Sequence, residues 1–171
     1  MNLEQKLNTL MNTDIACHLN YMSKLANDCE HITEFGTRSI VSTWAWLCGI
    51  PKKIICYDIK DPNEYRQGAK EEFMSVCKNN GVEFIFKKES TIEAETIEST
   101  DLLFIDTLHT YDQVSKELEL HAHKTNKYLC GHDTELKGVR DAFYDYVKDK
   151  NFKKIYDESC SHGFICYKKI N

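Results

Sequence analysis

The sequence predicts a single α/β domain, a doubly wound Rossmann-like fold in which helices cover both faces of a seven-stranded, mostly parallel sheet. Short apolar runs alternate with stretches of helical periodicity through five units along the chain. The last two apolar runs, residues 151–158 and 162–169, lie too close together for a helix between them. They are therefore expected to pair as an antiparallel hairpin at the end of the sheet. The length of 171 residues suits one domain with a full core, residues 1–171.

Composition narrows the class of protein. Hydrophobic residues make up 42% and charged residues 29% of the chain, which is typical of a globular domain. No run approaches the roughly 18 apolar residues of a membrane span, and the polar N-terminus does not resemble a signal peptide. We therefore expect a cytoplasmic protein with no membrane partner. The net charge is −5 and the lysines are scattered among acidic residues, so nucleic acid is not an expected partner.

The first elements surround a glycine turn. Apolar residues recur at helical spacing through residues 2–27, which predicts one or two leading helices within residues 1–28. Residues 30–49 then predict a strand, a tight turn at Gly36 and a helix. Glycine lets the backbone approach a ligand closely because it has no Cβ. Ser39 is predicted to cap the helix, whose free N–H groups would face that ligand.

The remaining elements follow in order. We predict strands at 52–59, 82–90, 101–106 and 127–134, and helices at 63–80, 92–98, 111–124 and 135–150, before the terminal hairpin. The strands are continuous apolar runs, which is typical of parallel strands covered on both faces. Each ends on polar residues: Glu34, Asp58, Glu89 and Ser90, Asp106, and Asp133. Because ligands bind at the carboxyl ends of such strands, we expect these residues to lie along one edge.

This series of residues resembles the class I S-adenosylmethionine-dependent methyltransferases. The run Glu34-Phe35-Gly36-Thr37-Arg38-Ser39 stands where that family has its glycine-rich motif, and Asp58 stands at its ribose-binding acid, followed by Ile59. Residues 104–111 and 131–134 are similar to the paired motifs of a small-molecule O-methyltransferase group that includes cephalosporin-hydroxylase-like enzymes. The resemblance implies the strand order 3-2-1-4-5-7-6 and S-adenosylmethionine as cofactor. It implies cofactor contacts from residues 34–39, Asp58, Ile59, Glu89, Ser90 and Asp106.

The resemblance also implies a metal at the fourth and fifth strands. In that group, acids at these two strand ends hold a divalent cation, and here Asp106, His132 and Asp133 occupy the positions. Carboxylate oxygens suit Mg²⁺, and an imidazole shifts the preference toward Mn²⁺. The cation would assist O-methylation of a small hydroxylated acceptor. Asp106 and His109 are the candidate catalytic residues, with His109 as general base because an unperturbed imidazole titrates near 6.5.

Other interpretations stay open. The glycine motif keeps only Gly36, which favours a non-catalytic protein of the same fold that binds S-adenosylmethionine or a nucleoside, or a small subunit of an assembly. The chain lacks the extensions that shape the acceptor pocket in larger relatives, so the pocket is open, small, or completed by another subunit of a homo-oligomer. A nicotinamide-dependent oxidoreductase is a weaker alternative, because the full GxGxxG is absent. Arg38 is either a surface charge or a partner of Glu34, and His109 is either the base or an ordinary loop residue.

The eight cysteines show no CxxC spacing, and several fall in apolar runs. We expect free, mostly buried thiols rather than disulfides or a zinc site.

Overall fold

The computed structural model describes residues 2–170 and is built on a seven-stranded sheet. The strands are β1 (His31–Phe35), β2 (Lys53–Asp58), β3 (Glu83–Lys88), β4 (Thr100–Ile105), β5 (Thr125–His132), β6 (Phe152–Glu158) and β7 (Phe164–Lys169). Their order across the sheet is β3-β2-β1-β4-β5-β7-β6. The first five strands are parallel, and β7 pairs antiparallel with both β5 and β6. The predicted fold and strand order are confirmed.

Seven α-helices flank the sheet within residues 2–170. They are α1 (Leu3–Thr9), α2 (Leu19–Ala26), α3 (Ser42–Leu47), α4 (Pro62–Tyr65), α5 (Ala69–Asn79), α6 (Tyr111–His121) and α7 (Lys137–Val147), with 3-10 turns at Ala16–His18 and Ala122–Lys124. In this described range, none of the helices has the length and apolar character needed to cross a lipid bilayer.

Two predicted helices differ from the structure. The helix expected over 63–80 is divided into α4 and α5, because Gly68 adopts a left-handed conformation (φ 76°) between them. The acidic helix expected over 92–98 does not form, and this segment is a turn followed by irregular chain. Ala94 and Ile97 of the segment are buried in the core. A short stretch cannot hold a helix without tertiary support, so packing of these two side chains decides its conformation.

The core lies in two layers, one on each face of the sheet. Along β4, Leu102 and Phe104 pack into the layer with α2, α3 and α5, whereas Leu103 and Ile105 pack into the layer with α6 and α7. All four side chains are at most 2% exposed. Burial on both faces explains why the inner parallel strands β1, β2, β4 and β5 are continuous apolar runs instead of alternating ones.

The register of the parallel strands sets the functional edge. Phe35 at the end of β1 pairs with Tyr57 on one side and with Ile105 on the other, and Ile105 pairs with Gly131 of β5. The residues that follow each of these positions therefore leave the sheet side by side. This alignment brings residues that are distant in sequence to one edge.

One pair of cysteines contradicts the expectation of free thiols. Cys17 and Cys160 form a disulfide between the N-terminal segment and the β6–β7 loop, with their Cα atoms 6.6 Å apart. The two residues are separated by 143 positions in sequence, so their local sequence contexts gave no sign of the pairing. The other six cysteines are free thiols, and all but Cys48 are buried.

Candidate active site

The turn after β1 requires a glycine. Gly36 has φ 84°, and its N–H donates to the Tyr57 carbonyl at 2.9 Å. A Cβ at this position would overlap the backbone carbonyl of Asp106 at the end of β4. Two neighbouring strand ends can therefore approach each other only around a residue with no side chain.

The rest of the turn differs from the prediction. Arg38 (φ 43°) and Ile40 (φ 63°) both take the left-handed conformation, which delays the start of α3 to Ser42. The N-cap residue is Val41, which has no side-chain capping hydrogen bond. The prediction that Ser39 caps the helix is therefore wrong, because the extra turn residues move the N-cap two positions along the chain, from Ser39 to Val41.

Asp58 is fixed by the backbone around it. One carboxylate oxygen accepts the Arg38 N–H at 2.8 Å, and the other accepts the Lys60 N–H at 2.9 Å. The side chain is 8% exposed and faces the cavity at the end of β2. Each carboxylate oxygen can accept more than one hydrogen bond, so Asp58 can also receive ligand hydroxyls.

A cavity of about 530 Å³ runs along this edge. The predicted residues that line it are Gly36, Arg38, Asp58, Ile59, Glu89, Ser90, Asp106, His109, His132 and Asp133. A second cavity of about 290 Å³ is lined by Thr37 and Ser39 and shares Gly36, Arg38 and Asp106 with the first. Most of the predicted site residues are therefore brought together, and the main cavity has the size typical of small-molecule sites.

Glu34 and Phe35 do not belong to this cavity, which corrects their predicted contacts with a cofactor. Both are 0% exposed. Glu34 accepts a hydrogen bond from Ser42 and lies 3.5 Å from the Cys56 sulfur. Burial raises the pKa of Glu34 to about 7. Phe35 packs edge-to-face against Tyr57. Side chains in a strand point alternately to the two core layers, so the edge is reached mainly by residues at the last position of a strand or beyond it.

Acidic and imidazole groups cluster at the ends of β4 and β5. His109 Nε2 lies 2.8 Å from Asp133 Oδ2 and 3.4 Å from Asp106 Oδ1. The Asp106 and Asp133 carboxylates raise the pKa of His109 to about 9. These carboxylates therefore favour the protonated ring of His109 at neutral pH, whereas the sequence suggested an unperturbed imidazole.

His132 faces the same carboxylates from the buried side. Its Nε2–H donates to the Ser161 carbonyl at 2.8 Å, and its Nδ1 lies 3.5 Å from Asp106 Oδ1 and 3.3 Å from Asp133 Oδ2. Burial alone would lower the pKa of His132, but the two carboxylates outweigh it and raise this pKa to about 10.

The cluster fits a divalent cation. Ligand atoms of Asp106, His109 and Asp133 all lie within 4.8 Å of one another. The buried Nδ1 of His132 has no hydrogen bond of acceptable geometry, although it is aimed at the two carboxylates. Two carboxylates with adjacent imidazole nitrogens are a donor set that Mn²⁺ accepts, and the carboxylates alone suit Mg²⁺.

Sequence reasoning missed a buried carboxylate beneath the cavity. Glu117 of α6 is 0% exposed and accepts hydrogen bonds from Thr91, from Thr107 at 2.8 Å and from Gln113 at 2.9 Å. These three donors all line the cavity. Burial raises the pKa of Glu117. The available signal was its position on the apolar face of the helix, three residues after Val114.

Sequence reasoning also missed the partner of Arg38. Its guanidinium lies 3.1 Å from the Asp14 carboxylate, and both side chains are largely exposed. Arg38 therefore pairs with Asp14 at the surface and not with Glu34, which was one of the two alternatives expected from the sequence. Asp14 lies in the segment between α1 and α2 and lines both cavities. The leading segment therefore forms one wall of the site.

The sheet order, the terminal hairpin and the cavity at the carboxyl edge give the chain the fold of the class I S-adenosylmethionine-dependent methyltransferases. No protein-family model and no curated protein matches the sequence. Solved structures are similar at low identity. An O-methyltransferase from Bacillus cereus in complex with SAH (S-adenosylhomocysteine) has a TM-score of 0.68 and 15% identity, covering 97% of this chain and 91% of that one.

Two further solved structures share the fold. A methyltransferase from Podospora anserina with bound SAH has a TM-score of 0.67 at 14% identity, and the match covers 99% of this chain and 88% of that one. An O-methyltransferase from Streptomyces achromogenes, involved in tomaymycin synthesis and in complex with SAM, has a TM-score of 0.64 at 13% identity, over 91% and 81% of the two chains. Similarity at this level of identity establishes the fold.

Proposed function

We propose that this protein is an S-adenosylmethionine-dependent methyltransferase that methylates a hydroxyl group of a small molecule with the help of a divalent cation. One observation carries the proposal. A single cavity joins the Gly36 turn and Asp58 at one end to the Asp106–Asp133 cluster at the other. A nucleoside-binding end and an acid–imidazole end in one space suit transfer between a cofactor and an acceptor.

The cofactor end consists of backbone and carboxylate groups. The Gly36 turn leaves room for the amino-acid part of S-adenosylmethionine, and Asp58 accepts hydrogen bonds from its ribose hydroxyls. Glu89 and Ser90 line the wall beyond β3, where the adenine would lie. The structures of O-methyltransferases with bound SAH or SAM on the same fold support this assignment. When bound, the cofactor supplies a methyl group on a sulfonium.

Asp106, Asp133 and His132 would hold the cation. The carboxylates supply the charge, and the buried Nδ1 of His132 supplies the third donor. A bound Mg²⁺ or Mn²⁺ supplies positive charge that lowers the pKa of an acceptor hydroxyl. His132 is oriented for this role because its Nε2–H is held by the Ser161 carbonyl. A ligating imidazole is commonly fixed through its second nitrogen in this way.

We assign proton removal to His109, since a cation held by Asp106 and Asp133 would offset the carboxylate charge that raises the pKa of this ring. Its side chain is 41% exposed, so the ring can turn toward an acceptor while Asp133 orients it. The acceptor itself is expected to be small and hydroxylated, since it has to share a cavity of about 530 Å³ with the cofactor. A second copy of the chain would complete this side if the protein forms a homo-oligomer. Six free cysteines support a cytoplasmic location, whereas the Cys17–Cys160 disulfide counts against it.

Binding and transfer are tested separately. Calorimetry with S-adenosylmethionine and S-adenosylhomocysteine, with and without Mn²⁺, should show one binding event for each nucleoside. Incubation with methyl-labelled cofactor and a panel of sugars and catechols should then show label in an acceptor. Failure of both nucleosides to bind at millimolar concentration would remove the methyltransferase proposal. Binding without transfer to any acceptor would instead favour a non-catalytic binding protein.

The His109→Ala variant tests whether His109 acts as the base or as a ligand of the cation. It should retain Mn²⁺ binding, measured by electron paramagnetic resonance, and lose most methyl transfer. The Asp133→Asn variant is the matched comparison and should lose the ion. A fully active His109→Ala protein would reduce His109 to a loop residue, and loss of Mn²⁺ in that variant would make it a ligand.

A further inference from the structure

A buried carboxylate of α6 supports the wall of the cavity that lies beyond β3. Glu117 Oε1 accepts hydrogen bonds from the Thr91 hydroxyl and, at 2.9 Å, from the Gln113 amide. Glu117 Oε2 accepts the Thr107 hydroxyl at 2.8 Å. The three donors line the cavity, whereas Glu117 is fully buried behind them. The carboxylate can therefore act on a ligand only through these three side chains.

The directions of the hydrogen bonds fix the orientation of the Gln113 amide. Glu117 Oε1 is an acceptor, so the group of Gln113 that faces it is the NH₂. The Thr91 hydroxyl gives its proton to the same oxygen, so it can only accept from Gln113 Nε2, which lies 3.4 Å away. Within residues 2–170, the side-chain hydrogen bonds of Gln113 all run through its NH₂. Its amide oxygen is therefore the atom that remains to accept from a ligand.

This orientation does not depend on the ionisation of Glu117. Burial raises the pKa of Glu117. A proton on the carboxyl group would be held by Oε2, because the Thr107 hydroxyl opposite it can accept as well as donate. Oε1 would still accept from Thr91 and Gln113.

The same helix also holds the backbone of this wall. The buried His121 donates from Nε2–H to the Thr91 carbonyl at 2.7 Å. Thr91 is therefore fixed through its hydroxyl by Glu117 and through its carbonyl by His121. Side chains that are locked by packing and by buried hydrogen-bond partners hold a binding geometry more precisely than free loop residues do.

We propose that Gln113, oriented by Glu117, selects a 6-aminopurine by accepting a hydrogen bond from its exocyclic amino group. This inference rests on the proposed function, in which the purine is the adenine of S-adenosylmethionine. Thr91 directly follows Glu89 and Ser90, which line the wall where the adenine would lie. A purine with an oxygen at position 6 would bring lone pairs against the Gln113 oxygen and would be rejected. Gln113 is then a specificity-determining residue, and Glu117 is a positioning residue.

A pair of nucleosides tests the proposal. Calorimetry compares S-adenosylhomocysteine with S-inosylhomocysteine, which carries an oxygen in place of the amino group. We expect the wild-type protein to bind the amino form about tenfold to a hundredfold more tightly. Equal affinity for the two would overturn the role of Gln113 and leave the methyltransferase proposal intact. Failure of both to bind would remove the methyltransferase proposal, and this inference with it.

A Gln113 variant identifies the acceptor. Gln113→Met removes the amide oxygen from a half-buried position and should reduce the preference to less than about threefold, mainly through weaker binding of S-adenosylhomocysteine. Gln5→Met makes the same substitution at an exposed position of α1 and should keep the full preference. A preference that survives in Gln113→Met would overturn the proposal and indicate another acceptor of the wall, such as Glu89.

Two Glu117 variants separate positioning from packing. Glu117→Gln keeps an oxygen for Thr91 and Gln113 and turns its NH₂ to the Thr107 hydroxyl, so it should retain the preference. Glu117→Leu frees the Gln113 amide to rotate and should lose most of the preference while circular dichroism shows a folded protein. Loss of the preference in a folded Glu117→Gln protein would overturn the positioning role, as would its retention in Glu117→Leu. If Glu117→Leu does not fold, Glu117→Gln and Gln113→Met decide the outcome.

Discussion

The backbone N–H of Arg38 donates a 2.8 Å hydrogen bond to the Asp58 carboxylate and thereby joins the glycine turn to the end of β2. The two residues are 20 positions apart, and the bond gives the carboxylate a fixed direction within the cavity. The Lys60 N–H holds its second oxygen. Asp58 therefore fixes the shape of the turn while its carboxylate faces the cavity.

Replacing Asp58 should weaken cofactor binding. In Asp58→Asn, an amide NH₂ takes the place of one acceptor oxygen and faces a backbone N–H instead of accepting from it. We expect the dissociation constant for S-adenosylmethionine to rise about tenfold to a hundredfold, or about 1.4–2.8 kcal/mol. Calorimetry measures the change, and Glu83→Gln at the exposed start of β3 is the control. Unchanged affinity in Asp58→Asn would show that the ribose does not lie at this carboxylate.

The Gly36 turn can be tested against a matched glycine. Gly81 has a similar left-handed backbone (φ 70°), but a Cβ there meets no atom within 4 Å. Gly81→Ala should therefore cost only the strain of a left-handed backbone at alanine, about 1–2 kcal/mol of unfolding free energy. Gly36→Ala adds an overlap with the Asp106 carbonyl and should cost clearly more, with loss of cofactor binding. Denaturant unfolding compares the two variants, and equal losses would contradict the close approach of the strand ends.

Burial of Glu34 should make stability depend on pH. Its pKa of about 7 in the folded protein exceeds the ordinary value of 4.5. The folded state therefore keeps its proton while the unfolded state loses it. The resulting stability is fully present below pH 4.5 and is lost as pH rises to about 7, by about 3 kcal/mol.

The Glu34→Gln variant isolates this effect. Its amide oxygen can still accept the Ser42 hydroxyl, but it does not ionise. Relative to wild type, the variant should gain stability as pH rises from 4.5 to about 7, measured by denaturant unfolding at each pH. Parallel pH profiles for the two proteins would show that Glu34 is not the titrating group.

The Cys17–Cys160 disulfide should stabilise the oxidised protein. It closes a loop between residues separated by 143 positions, which restricts the unfolded chain. We expect reduction in the presence of a chelator to lower the unfolding free energy by about 2–4 kcal/mol. Thermal unfolding with and without reductant measures the loss. The double variant Cys17→Ser/Cys160→Ser should not respond to reductant, and an unchanged wild-type transition would contradict a stabilising role.

The sheet and most of its functional edge could be predicted from the sequence. Strands buried on both faces give continuous apolar runs, and parallel strands bring Asp58, Asp106 and Asp133 to the same edge whatever their separation. These features follow from periodicity and topology alone. The strand order came from the resemblance to a family, and the sheet confirms it.

The remaining features depend on tertiary contacts that a sequence pattern does not contain. Ser39 resembled a helix cap, but two left-handed residues in the turn moved the helix start to Ser42. Glu34 resembled a cofactor ligand, but its direction within β1 buries it beside Cys56. The disulfide joins residues near opposite ends of the chain. Glu117 stands out as a buried carboxylate beneath the cavity only once the fold brings its hydrogen-bond donors, such as Thr107, to it.

A crystal soaked with S-adenosylhomocysteine and Mn²⁺ tests the central claim most directly. We predict density for the nucleoside between the Gly36 turn and Asp58, with its ribose hydroxyls on the Asp58 carboxylate. We also predict an anomalous manganese peak between Asp106 and Asp133. An empty cavity at saturating nucleoside, or a nucleoside bound away from Asp58, would contradict the assignment of this edge as the site of methyl transfer.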